Sequence, residues 1–289
     1  MLLDILMTSL IKGSTYAMLA IGFSLIFGVA RIVNIAHTAF YMVAAYCIYF
    51  TTYRMGFNAF FAMIAAVVFV SLLGLIVYKV FIKPIREHEQ AVLIGTIALA
   101  IAFQEVMMII FTGDYLSVPS LIDGYATILG NKVFYQQILT FGSVLVVLGL
   151  MRVFLMHTRL GLAIRSTAQD REVANLMGMD ESRVAMMAVV ISVMLAGITG
   201  AVIVPLTTVE PFMWSHPLIM MMAVVVLGGM GSIKGSFYAA YILGFAEAMV
   251  VFMVPAGSFL KGAVALSIMI LVLLVKPAGL FGVQFEEER

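Results

Sequence analysis

The run FNAFFAMIAAVVFVSLLGLIVYKVFI, residues 57–82, contains one charged side chain, Lys79, in 26 positions. A helix crossing the hydrocarbon core of a bilayer needs about 20 mostly apolar residues, each rising 1.5 Å. Similar runs lie on either side, at 5–29, 35–53, 91–112, 133–156, 184–207, 217–233, 236–254 and 259–275. The pattern predicts an all-α polytopic membrane protein of about nine transmembrane helices, a single domain over residues 1–289. The run 217–233 differs from the rest because it ends in Gly228, Gly229, Gly231 and Gly235. Glycine weakens a helix and permits tight turns. This run therefore reads as a short span or as a re-entrant segment, which is tolerated only inside protein. A re-entrant segment leaves eight crossings.

Composition supports the same class. Hydrophobic residues make up 64% of the chain and charged residues 11%, with a mean hydropathy of +1.14. Soluble domains average roughly 45–50% apolar and about 25% charged. Too little polar surface is present to cover a globule, which excludes an ordinary cytosolic enzyme and a disordered chain. Lys and Arg total 16 against 15 Asp and Glu, so no basic patch points to nucleic acid. The one cysteine, Cys47, has no internal disulfide partner. The histidines, His37, His88, His157 and His216, lack metal-ligand spacing. The opening MLLDILMTSL has an acid and no basic n-region, so the first run is expected to be a retained span.

Orientation follows from the excess of Lys and Arg on cytoplasmic loops. With 157–183 in the cytoplasm, the inner side holds Arg31, Lys79, Lys83, Arg86, Arg152, Arg159, Arg165, Arg171, Arg183, Lys234, Lys276 and Arg289. The outer side keeps only Lys12, Arg54, Lys132 and Lys261. The bias places the N-terminus outside and the C-terminus inside, provided that 217–233 crosses. Trp214 falls in an outer loop, where it is expected to anchor at the interface.

The two long connections differ in kind. Residues 113–132, rich in Gly, Pro, Ser and Asp, read as an extracytoplasmic loop. In 157–183, Thr167 and Asp170 are cap candidates, and Val173, Ala174, Leu176 and Met177 share one helical face. Gly178 suits the residue after a helix, and Asp180 can cap the next one. A short amphipathic helix pair is predicted here. It fits either a groove on a soluble partner or the lipid headgroups.

No phosphate-binding GxxxxGK[ST] loop, HExxH, CxxC or GxSxG motif occurs. Polar groups inside spans are therefore the candidates for function. Glu105 lies beside Gln104 within 91–112, and Glu247 lies within 236–254. Each can line a pathway, bind an ammonium group or relay protons. Each can instead form an internal ion pair or an interhelical hydrogen bond that fixes packing, with Lys12 and Lys261 as possible partners. Asn34 and His37 at the first inner turn read as helix-capping or gate residues. Finally, Lys12-Gly13-Ser14-x-Tyr16-Ala17 with Gly22-Phe23 is echoed by Lys234-Gly235-Ser236-x-Tyr238-Ala239 with Gly244-Phe245, either as an inverted repeat or because glycines let helices approach closely.

These residues resemble a known family. The stretch GSTYAMLAIGFSLIFGVARIVNIAHTAFYMVAAY at 13–46 is similar to the opening of permease subunits of branched-chain (hydrophobic) amino acid ABC importers. So are RLGLAIRSTAQDREVANLMGMDESRV at 159–184, LAGITGAV at 195–202, VVLGGMGSIKGSFYAAYILG at 225–244 and KPAGLFG at 276–282. Glu172-Val173-Ala174-x-x-x-Gly178 resembles the E-A-A-x-x-x-G coupling motif of such importers. The resemblance implies that Arg165, Asp170, Glu172, Ala174 and Gly178 mark the docking site of a separate ATPase, which supplies the ATP and Mg chemistry. It implies two cytoplasmic ATPase subunits, a second and non-identical permease subunit, and a periplasmic binding protein. The chain itself would bind no cofactor and would lie in the bacterial inner membrane. Two departures stand out. Thr38 replaces a glycine common after the histidine, and Ala44 replaces one before Ala45, which leaves the cargo open. A permease for urea, amides or sugar has the same architecture, and an ion-coupled transporter using Glu105 and Glu247 is the rival of another class.

Overall fold

The computed structural model describes residues 2–128 and 131–281. Its order is α1 (Leu2–Ala30), α2 (His37–Tyr49) with a π-helical turn (Phe50–Arg54), α3 (Ala59–Val77) with a π-helical turn (Tyr78–Ile82), and α4 (Lys83–Ile85). Then come α5 (Glu89–Phe111), β1 (Tyr125–Ile128), β2 (Asn131–Phe134), α6 (Tyr135–His157), α7 (Arg159–Gln169) and α8 (Arg171–Leu176). The last helices are α9 (Glu181–Ile203) with a 3₁₀ turn (Val204–Leu206), α10 (Ser215–Gly228), α11 (Ile233–Met253) and α12 (Gly257–Val275).

Among the described residues, 7 helices are long and apolar enough to cross a membrane: Leu2–Ala30, Ala59–Ile85, Glu89–Phe111, Tyr135–His157, Glu181–Leu206, Ile233–Met253 and Gly257–Val275. Two further segments differ. α2 is rich in tyrosine and almost wholly buried inside the protein. α10 is apolar but has only 14 residues, about 21 Å of helix.

The 113–132 connection corrects the expectation of a purely helical chain. β1 and β2 pair antiparallel, with Tyr125 opposite Phe134 and Thr127 opposite Lys132. Aromatic and β-branched residues on both strands, Tyr125, Thr127, Val133 and Phe134, suit such pairing. The Lys132 ammonium sits 4.6 Å from the Tyr125 ring centroid. Val133 and Phe134, read from sequence as the start of a span, belong to this hairpin, and the helix begins at Tyr135.

α1 is the centre of the bundle and packs antiparallel on α11. The two echoed segments meet here. A Cβ added at Gly244 would lie 2.6 Å from the Gly13 nitrogen, so only glycine permits this approach. Ser24 and Ser236 hydroxyls are 2.7 Å apart, and Ser14 and Tyr241 hydroxyls 3.0 Å. α2 wedges against α9, where a Cβ on Gly200 would sit 2.6 Å from the Tyr41 carbonyl. Outside this core, α3, α5, α6 and α12 expose broad apolar faces.

α10 starts beside Trp214 and ends at the opposite end of the bundle, next to Gly235. There the segment after α12 clasps it. Leu280 N–H donates to Leu227 O at 2.8 Å and Phe281 N–H to Gly228 O at 3.1 Å, satisfying carbonyls that a helix end leaves open. Gly279 has φ +78°, and its Cβ would meet Gly229 N at 2.7 Å. Gly282 of the KPAGLFG motif and Arg289 lie outside the described residues.

Candidate coupling loop and intramembrane polar cluster

Between α6 and α9 the chain makes a capped projection. Thr158 accepts from Gly161 N–H at 2.9 Å and starts α7. Asp170 accepts from Val173 N–H at 3.0 Å and starts α8, and Asp180 accepts from Arg183 N–H at 3.1 Å and starts α9. Thr167, a cap candidate from sequence, is buried and caps nothing; Thr158 fills that role because α7 begins earlier. α8 ends in a Schellman motif. Gly178 N–H bonds Asn175 O at 2.9 Å, Met179 N–H bonds Ala174 O at 3.1 Å, and Gly178 has φ +84°.

Only Ala174 of the predicted apolar face turns inward, at 4% exposure. Leu176 and Met177 are 87% and 76% exposed, and Leu162 and Val173 are exposed as well. Glu172 is exposed in the first turn of α8, and Arg165 is half-buried on α7. Sequence reasoning passed over Arg171. Its Nε and Nη2 donate to Val29 O at 3.0 and 2.8 Å, and Nη2 lies 3.4 Å from Glu181. α1 ends without a glycine, in Arg31 at φ +50°, so a carbonyl at its C-terminus takes an outside donor, which no residue type in the sequence marks.

The polar residues of the spans fall in three separate places. Glu247 on α11 is 3% exposed. Tyr16 O–H donates to it, and Lys12 Nζ and His216 Nε2 lie 3.8 and 3.9 Å from its Oε1. Of the two lysines proposed as partners, Lys12 makes the ion pair. Tyr16 and His216 could not be found from one-dimensional spacing, because they come from α1 and α10.

Gln104 and Glu105 are elsewhere, on α5. Trp214 is 8% exposed and donates Nε1–H to Gln104 Oε1 at 2.9 Å, which corrects its reading as an interface anchor. It ties the 207–214 connection to α5. Gln104 Nε2 donates to the exposed Glu105 carboxylate at 3.2 Å.

Asn34 and His37 lie in the interior at the start of α2, both 0% exposed. Asn34 does not cap α2: the cap position is Ala36, and the Asn34 side chain has no hydrogen-bond partner. His37 Nδ1 lies 3.3 Å from Ser192 Oγ, which donates to Gly22 O at 2.6 Å. A Cβ on Gly22 would come within 3.0 Å of the imidazole. The ring thus fills a notch where α1 lacks a side chain. Thr38 is buried without a partner for its hydroxyl, and Ala44 packs against Gly200. Among the described residues, no group of 3 or more His, Cys, Asp or Glu could hold a metal ion.

Residues 5–273 match the family described as branched-chain amino acid transport system / permease component. The chain belongs to this family. This permease is 28% identical to the high-affinity branched-chain amino acid transport system permease protein LivH of Escherichia coli (strain K12), over 93% of this chain and 92% of that one. It is 29% identical to BraD of Pseudomonas aeruginosa, over 96% and 94%. It is 25% identical to the probable LivH of Methanocaldococcus jannaschii, over 98% and 93%. The structure is similar to PsaBC from Streptococcus pneumoniae in complex with Fab, with TM-score 0.52 and 17% identity, covering 96% of this chain and 94% of that chain. The likeness extends to the fold. The permease is a multi-pass membrane protein and a transport subunit.

Proposed function

We propose that this permease translocates branched-chain or other hydrophobic amino acids across the bacterial inner membrane as part of an ATP-driven importer. The chain crosses nine times, through the seven long helices, α2 with its π turn, and α10. The end carrying α7 and α8 faces the cytoplasm, in line with the positive-inside rule. The names of the LivH and BraD relatives support the substrate class.

The observation that carries the reading is the α7–α8 projection. Side-chain caps and a glycine turn close its backbone, while Leu176 and Met177 stand almost fully exposed. A rigid projection with an apolar tip suits a groove on a soluble partner. That partner is an ATPase, present twice, which binds ATP and Mg; the permease itself holds no cofactor or metal. Arg165, Asp170, Glu172, Ala174 and Gly178 form or brace the docking surface. A second, non-identical permease subunit completes the pathway, and a periplasmic binding protein delivers the cargo to the outer mouth.

The ion-coupled alternative loses ground at Glu247, which is already engaged by Tyr16 and Lys12. The test is purification of the tagged permease with its partners, joined to uptake by Gly178→Arg and Glu172→Arg. Co-isolated ATPases and a second permease are expected, with uptake lost at normal membrane expression. Undiminished ATP-dependent uptake in either variant overturns the coupling assignment.

A further inference from the structure

The π-helical turn Tyr78–Ile82 breaks the regular advance of α3 near its basic end; such turns recur at functional sites. It leaves Tyr78 1% exposed while Lys79 and Val80 face outward. A cavity of about 520 Å³ opens here, lined by Tyr78, Lys79, Lys83, Ser182, Arg183 and Met186, with Asp180 as its one acid. Asp180 is already engaged, capping α9 and pairing with Arg183 at 2.9 Å. Lys79 and Lys83 pair with no acid among the described residues. The Tyr78 hydroxyl lies close to Arg86 but makes no hydrogen bond of ordinary geometry. That hydroxyl is closed to the cavity, whose uncompensated positive charge comes from Lys79 and Lys83.

A second feature specifies the ligand. Leu72 and Ile76, 56% and 57% exposed, are four residues apart and share one face of α3, and Val80, 67% exposed, follows in the π-helical turn. Lys83 lies just past the π-helical turn and lines the cavity. An apolar track about 12 Å long therefore ends at a cationic cavity that Ser182 also lines. We infer that this is a binding site for an anionic phospholipid. The phosphate sits between Lys79 and Lys83, and an acyl chain runs along Leu72, Ile76 and Val80. Basic pockets between transmembrane helices recognise anionic headgroups by this chemistry.

The test uses the purified, delipidated permease complex and native mass spectrometry. It is titrated separately with phosphatidylglycerol, phosphatidylcholine and glycerol phosphate. Phosphatidylglycerol is expected to bind at least 10-fold more tightly than phosphatidylcholine. Lys79→Ala with Lys83→Ala removes that preference, and Lys132→Ala, at the far end, leaves it intact. Lys83→Gln, a milder change, lowers it several-fold and covers the case in which the double variant fails to fold. Equal binding of both lipids overturns the site. Glycerol phosphate binding as tightly as phosphatidylglycerol overturns the lipid assignment in favour of a soluble phosphate. Loss of the lipid from the assembled complex, with full retention by the isolated permease, assigns the α3 face to a second subunit and also overturns it.

Discussion

Arg171→Ala is the perturbation that best isolates the link between the α7–α8 projection and the core. In the structure one guanidinium satisfies the Val29 carbonyl at the end of α1 through two bonds, and faces Glu181 at the start of α9. Hydrogen bonds to a charged group contribute about 1.5–3 kcal/mol. A partly exposed ion pair adds at most about 1 kcal/mol, since the two side chains are 30% and 22% exposed. Ordering an arginine costs up to about 2 kcal/mol. The net loss on truncation is about 2 kcal/mol, or roughly 30-fold in a local equilibrium. Hydrogen exchange in the 171–179 backbone should accelerate by about that factor, while exchange in the middle of α1 stays slow. Glu181→Gln removes the ion pair but keeps both bonds to Val29, so it should accelerate exchange less than about 5-fold. In the reconstituted importer, Arg171→Ala should lower the amount of substrate moved per ATP. The reasoning fails if Arg171→Ala exchanges no faster than Glu181→Gln, because the Val29 contact would then hold nothing.

Other consequences follow from packing and polar pairing. Gly244→Val should abolish folded yield, because its Cβ meets the Gly13 backbone, which cannot rotate away; overpacking costs about 1–3 kcal/mol or more. Gly262→Val, with nothing within 4 Å, should stay within about 0.5 kcal/mol of the parent in a thermal-shift assay. Tyr16→Phe and Glu247→Leu should each destabilise by about 1–3 kcal/mol. The double variant should cost less than their sum by more than about 0.5 kcal/mol, and strict additivity would show that the two groups do not interact. Trp214→Phe should cost about 1 kcal/mol, and Gln104→Leu should cost less in that background than in the parent, as measured by heat inactivation.

Hydropathy made the long spans legible because a 20-residue apolar run has few alternatives. The ends of α8 and the start of α9 were legible too, since Asp170, Gly178 and Asp180 act on neighbours within five residues. What stayed hidden were the partners supplied by distant helices. Trp214 looked like an interface residue because its acceptor, Gln104, is 110 positions away. His216 gave no sign of approaching Glu247. Asn34 looked like a cap by residue type, but α2 starts two residues too late for it. The hairpin at 125–134 was missed because its polar, glycine-bearing context outweighed four-residue strands. Arg171 was missed because a carbonyl acceptor carries no side-chain signature.

The clasp on α10 bears on how the chain is made. Residues 229–279, with all of α11 and α12, separate the α10 carbonyls from the amides that satisfy them. An unpaired carbonyl within a bilayer costs several kcal/mol. When α10 leaves the ribosome its end is therefore unfinished, and two more helices must enter the membrane before it can settle. The order of synthesis and the order of completion differ: α10 is translated tenth of the helices and is finished after the twelfth. A nascent chain stopped before Leu280 would hold α10 in an open state, where membrane quality control can read it as incomplete.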